Sequence, residues 1–146
     1  MRHWMKALAS TALLLTFSAI AAAGPEGVYD VRGTEIDGSS YSGLVKVIRT
    51  GETYSVNWLI GEYRYYGSGI GASPLAEGSI VGPADDKVNV LTVGYTDGDE
   101  EVGTAFYMEQ ENGVWQGVWT EYGTEQVSTE NWYPLEPRTN METMEY

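Results

Sequence analysis

Cysteine is absent from the chain, and histidine occurs once, as His3. That residue falls in an N-terminal stretch, residues 1–23, with the make-up of an export signal. The processed chain is therefore expected to hold neither imidazole nor thiol. This excludes Ser-His-Asp and Cys-His nucleophile pairs, Cys/His zinc sites, haem or copper held by imidazole or thiolate, and iron–sulfur clusters. No disulfide can form, so stability has to come from a hydrophobic core. Basic residues are also scarce. Lys+Arg number 8 against 21 Asp+Glu, a net charge of −13. Scattered cations in such an excess of acid cannot neutralise a run of phosphates, so nucleic acid and an anionic membrane surface are poor partners.

The N-terminal stretch carries Arg2 and Lys6, then the apolar run from Ala12 to Ile20, then Ala21-Ala22-Ala23 before Gly24. A basic start, a short apolar middle and a small-residue end are the three parts of a secretory signal peptide. The expected organisation is a signal peptide over 1–23, a β-barrel domain over 24–134, and a disordered acidic tail over 135–146. The tail begins around Glu136-Pro137-Arg138, where apolar periodicity stops. A periplasmic or secreted location follows from the signal.

Between residues 24 and 134, glycines separate stretches rich in Val, Ile, Thr, Tyr and Trp. The turns are legible at Asp37-Gly38, Thr50-Gly51-Glu52, Ile60-Gly61-Glu62, Asp97-Gly98 and Asn112-Gly113. Such pairs supply the backbone conformation of tight hairpins, which join neighbouring antiparallel strands. The pattern predicts strands over 27–35, 40–49, 53–60, 63–71, 76–82, 87–96, 101–110, 114–121 and 125–133. Wider loops are expected at Gly71-Ala72-Ser73-Pro74 and Gly82-Pro83-Ala84-Asp85-Asp86. Alternation puts Tyr54, Val56, Trp58 and Ile60 on one face of a strand, and Tyr41, Gly43, Val45 and Val47 on one face of another. For Trp115, Gly117 and Trp119 against Val114, Gln116, Val118 and Thr120, either side can point inward. The fold class is all-β: an up-and-down antiparallel meander closed into a small barrel of about eight or nine strands.

Aromatic composition supplies the main functional signal. Eleven Tyr and five Trp stand against two Phe. Tyr and Trp carry O–H and N–H groups that need partners when buried, so they suit surfaces with one wet side. Tyr54, Trp58, Trp115 and Trp119 are the foremost ligand-binding candidates, followed by Arg64 and Tyr65. The competing account has the same rings filling the interior beside Gly43, Gly67 and Gly117. The run Asp97-Gly98-Asp99-Glu100-Glu101 is oxygen-rich but lacks the spacing of a calcium loop, and reads as a solvated hairpin tip. Gly67-Ser68-Gly69-Ile70-Gly71 lacks the Lys and the helix of a phosphate loop. No metal ligand set, cofactor or catalytic residue is indicated.

Several segments resemble a known group of proteins. Tyr41-Ser42-Gly43-Leu44-Val45-Lys46-Val47, Gly51-Glu52-Thr53-Tyr54-Ser55-Val56-Asn57-Trp58, Gly67-Ser68-Gly69-Ile70-Gly71, Gly117-Val118-Trp119-Thr120 and Glu130-Asn131-Trp132 are similar to small exported proteobacterial proteins. Some of these carry a fibronectin-binding label. The resemblance implies a bacterial exported protein and transfers no functional residue. In architecture the pattern also resembles avidin-like and lipocalin-like barrels, an analogy of fold alone. The expected function is non-enzymatic binding of a small apolar or aromatic ligand by the barrel interior or mouth. The alternative is a protein–protein module, adhesin-like or an enzyme inhibitor, that uses its acidic and aromatic surface on an extracellular protein. A third class is a hydrolase built on paired carboxylates, which needs one carboxyl with a raised pKa in a cleft. Strand pairing between barrels would allow oligomers.

Overall fold

The computed structural model describes residues 24–135. Residues 1–23, expected to be a signal peptide, and all but the first residue of the tail expected over 135–146 lie outside the described residues. Within them there are nine strands and no helix: β1 (Gly27–Thr34), β2 (Ser40–Thr50), β3 (Thr53–Ile60), β4 (Tyr63–Pro74), β5 (Ser79–Gly82), β6 (Val90–Thr96), β7 (Val102–Glu109), β8 (Trp115–Glu121) and β9 (Ser128–Pro134).

Every pairing is antiparallel. The order β3-β2-β1-β9-β8-β7-β6-β4 closes on itself because β3 also pairs with β4. Eight strands form the barrel and leave it without a free edge to recruit another chain. The ninth, β5, pairs with the end of β4, where Gly71 faces Gly82 and Pro74 faces Ser79. Gly71–Pro74 is therefore the last part of a long strand and not the wide loop its composition suggested; β5 supplies the partner that β3 no longer reaches. Gly51 and Gly61 take positive φ at the head of two-residue hairpin turns, which is what the tight β2–β3 and β3–β4 reversals require.

Strand alternation sends one set of side chains inward. Val31, Val45, Val56, Leu91 and Val93 form the buried aliphatic layer, and Tyr54, Tyr107, Trp115 and Trp132 are almost wholly buried with them. Trp115, Gly117 and Trp119 form the inward row of β8, while Val118 stays exposed outside.

One end of the barrel is closed. The 83–89 loop folds across it: the Ala84 amide donates to the Glu52 carbonyl, Val88 is buried, and the Tyr54 hydroxyl donates to the Asp85 carbonyl at 3.1 Å. Tyr29 completes the closure by donating to the Pro25 carbonyl at 2.9 Å. The opposite end, ringed by the turns after β1, β3, β6 and β8, is not plugged in this way.

Inward glycines make room for rings. A methyl group on Gly33 would overlap the Tyr41 ring, one on Gly103 the Tyr95 ring, and one on Gly117 the Tyr107 ring. Three rings of the aromatic interior thus depend on neighbours that have no side chain.

Candidate functional site

The open end leads into a cavity of about 500 Å³. Its walls carry Tyr41 from β2, Trp58 and Ile60 from β3, Tyr65 from β4, Tyr95 from β6 and Trp119 from β8, all on inward positions. Its rim carries Glu35 and Asp37 from the β1–β2 turn, Glu101 from the β6–β7 turn and Glu121 from the end of β8. Among the described residues, no lysine, arginine or histidine lines it.

Glu130 lies at the base of the cavity. It is buried on β9, two residues before Trp132, so the strand's period of two turns both inward. Its Oε1 accepts from Trp58 Nε1 at 2.9 Å, Tyr107 Oη at 2.8 Å and Trp132 Nε1 at 2.6 Å. Its Oε2 accepts from Tyr41 Oη at 2.5 Å. Four donors from four strands therefore converge on one carboxylate, as a buried anion requires when no cation is paired with it. Burial, then the Glu130 charge, holds the Tyr41 and Tyr107 phenols well above their usual range, so both remain donors.

The rings form a continuous series. Tyr107 stacks on Trp132 with centroids 3.9 Å apart, Trp132 meets Trp58 edge-on at 6.1 Å, Trp58 meets Tyr95 at 5.9 Å, and Tyr95 meets Tyr65 at 6.1 Å. Across the cavity, Tyr41 and Trp119 meet edge-on at 6.4 Å. Trp119 is 8% exposed, and its Nε1 is a buried donor with no hydrogen bond of good geometry, interacting only weakly with the Tyr41 hydroxyl.

The six residues singled out in the sequence divide three ways. Trp58, Tyr65 and Trp119 line the cavity. Tyr54 and Trp115 also point inward but are buried toward the closed end, away from any opening. Arg64 is on the outer wall, because β4 turns its odd-numbered positions inward and Arg64 alternates with Tyr65. Glu130, Tyr41 and Tyr95 were not anticipated. The available signal for Glu130 was its place in Ser128-Thr129-Glu130-Asn131-Trp132, where a strand that buries Trp132 must bury Glu130 as well. The Asp97–Glu101 run is a hairpin tip: Asp97 Oδ1 accepts from the Asp99 and Glu101 amides at 2.9 and 3.0 Å, and its last member, Glu101, reaches the rim.

Burial, then the charges of Asp37, Glu101 and Glu130, pushes the Glu35 carboxyl up; burial, then Glu101, Glu35 and Asp97, does the same for Glu121. An acid whose folded pKa is raised favours the fold while protonated, and that contribution is lost as pH rises through the folded value. The melting temperature is therefore expected to rise on acidification from neutral to about pH 5, and to rise less in Glu121→Gln. Asp37 acts oppositely and at lower pH, because the Ser39 hydroxyl and amide hold its carboxyl down. Thermal unfolding followed by circular dichroism across this range checks the sign; a steady fall toward pH 5 would refute it.

No protein-family model matches the chain, and neither a curated protein nor a solved structure shows significant similarity to it.

Proposed function

We propose that the protein is an exported, non-enzymatic binding protein that holds a small ligand with an aromatic or apolar body in the open end of its barrel. The observation that carries this reading is the cavity itself: about 500 Å³, walled by aromatic rings and open at one end only. Pockets of this size and lining are where small molecules bury most of their surface. The base is rigid, since the Glu130 network ties β2, β3, β7 and β9 together, and a rigid wall lowers the ordering cost of binding.

The test uses the uncharged fluorescent probe N-phenyl-naphthylamine. Its emission is expected to rise on addition of the purified protein, saturating at one probe per chain. Ile60→Trp, which fills the cavity from its wall, is expected to abolish uptake while leaving the circular dichroism of the fold unchanged. Equal uptake by that variant would refute the reading.

A second reading rests on the outer wall. Ile70, Phe106 and Val118 occupy one row across β4, β7 and β8, with Thr92 of β6 between the first two. All three apolar side chains are exposed. An apolar row on a barrel wall suits a protein partner. Under that reading Phe106→Lys abolishes partner capture and leaves probe uptake untouched.

A further inference from the structure

We propose that the cavity selects an organic cation that carries a hydrogen-bond acceptor beside its charged group. This rests on the ligand-binding reading above and narrows it to a chemical class.

Three features of the cavity converge on that class. The first is the sign of its charge. Glu35, Asp37, Glu101 and Glu121 surround the mouth, and Glu130 lies at the base. An anion entering would meet repulsion at the rim and again at the floor, whereas a cation is drawn inward by both. The second is the walls. Tyr41, Trp58, Tyr65, Tyr95 and Trp119 present rings from several directions, and the faces of such rings attract a weakly hydrated ammonium group more strongly than its neutral counterpart. An inorganic ion is a poor fit. Among the described residues no group of three acidic side chains is placed to hold a metal ion, so the acids ring a volume instead of converging on a point.

The third feature is independent of charge. Trp119 Nε1 makes no hydrogen bond of good geometry, only a weak interaction with the Tyr41 hydroxyl, which itself donates to Glu130, although the two indoles that meet Glu130 are both satisfied. An indole N–H can only donate, and leaving one buried and unmade is costly. A small turn of the Trp119 ring would bare this atom to the cavity, and a bound carbonyl or ether oxygen would then complete it. Since a cation alone offers no lone pair there, the ligand needs both groups.

Acetylcholine is a suitable probe, with a quaternary ammonium and an ester oxygen in one small molecule. Its uncharged carbon isostere, in which a tert-butyl group replaces the trimethylammonium, keeps the shape and the ester. Pentyltrimethylammonium keeps the charge and drops the acceptor. Titration followed by tryptophan emission and calorimetry is expected to show acetylcholine binding about tenfold more tightly than the isostere. Trp119→Phe is expected to weaken acetylcholine about fivefold and to leave pentyltrimethylammonium unchanged. If the isostere binds as tightly as acetylcholine, the selection for a cation is overturned and the binding cavity stands. If neither ester binds while N-phenyl-naphthylamine is still taken up, the outcome is the same. If neither ester nor N-phenyl-naphthylamine binds, both readings fall. Equal weakening of both cations in Trp119→Phe would overturn the acceptor requirement.

Discussion

Glu130→Ala is expected to remove about 4 kcal/mol of stability. The loss comes less from the carboxylate than from what it leaves behind. Trp58, Tyr107 and Trp132 are 6%, 1% and 0% exposed, and each points a donor at the vacated position. A buried donor without an acceptor costs about 1–3 kcal/mol. The four penalties do not simply add, because Tyr41 is near the mouth and water entering the cavity can serve part of the set. Glu130→Gln is expected to cost about half as much. Its remaining carbonyl oxygen still accepts, while its amide places a donor against donors. Urea unfolding monitored by tryptophan emission measures both changes. A loss below about 1 kcal/mol for the alanine variant would show that the network is not what holds the interior together.

Gly117→Ala follows as the second large effect, at about 3 kcal/mol, although it adds only one methyl group. The new Cβ would overlap the Tyr107 ring and sit 3.0 Å from the Phe106 carbonyl oxygen. That ring cannot give way. It is buried, stacked 3.9 Å from Trp132 and anchored by its hydroxyl to Glu130. Gly94→Ala is the control, since Gly94 is another strand glycine but with open space where its Cβ would go. There alanine is expected to stabilise slightly, by about 0.5 kcal/mol, by limiting the unfolded chain. In a double-mutant cycle Tyr107→Leu is expected to absorb most of the Gly117→Ala penalty, because the two changes share one contact. Additive losses would place the cause in the β8 backbone instead of the ring.

The two variants bear on binding as well as folding. Both disturb the base of the cavity, so the wall variants Ile60→Trp and Trp119→Phe are the ones that separate recognition from stability.

Much of the barrel is legible from local rules. Gly51 and Gly61 mark hairpin turns whose positive φ the structure has, and the run Tyr54, Val56, Trp58 is buried at each position. The β5 region is where local reading fails. Its strand covers only Ser79–Gly82, and the wide loop expected over residues 82–86 runs on through 87–89, the expected start of the next strand, and shuts one end of the barrel. Nothing in Val88 or Ala84 announces that role, since a loop residue is buried only by what it packs against.

The segments Gly51–Trp58 and Asn112–Trp119 make the division clear. Each places two aromatics four residues apart, which in a strand means one face and a separation of about 13 Å. From spacing alone, Tyr54 and Trp58 are equivalent, as are Trp115 and Trp119. In the folded chain Tyr54 and Trp115 lie toward the closed end, and Trp58 and Trp119 lie at the cavity. Alternation is a short-range property, written along each strand by the geometry of consecutive residues, and it determined which side chains share a face, leaving open for β8 which face enters the barrel. Which end stays open, and which four donors meet Glu130, depends on contacts between residues such as Tyr41 and Glu130, far apart in the chain. Only closure of the sheet brings them together.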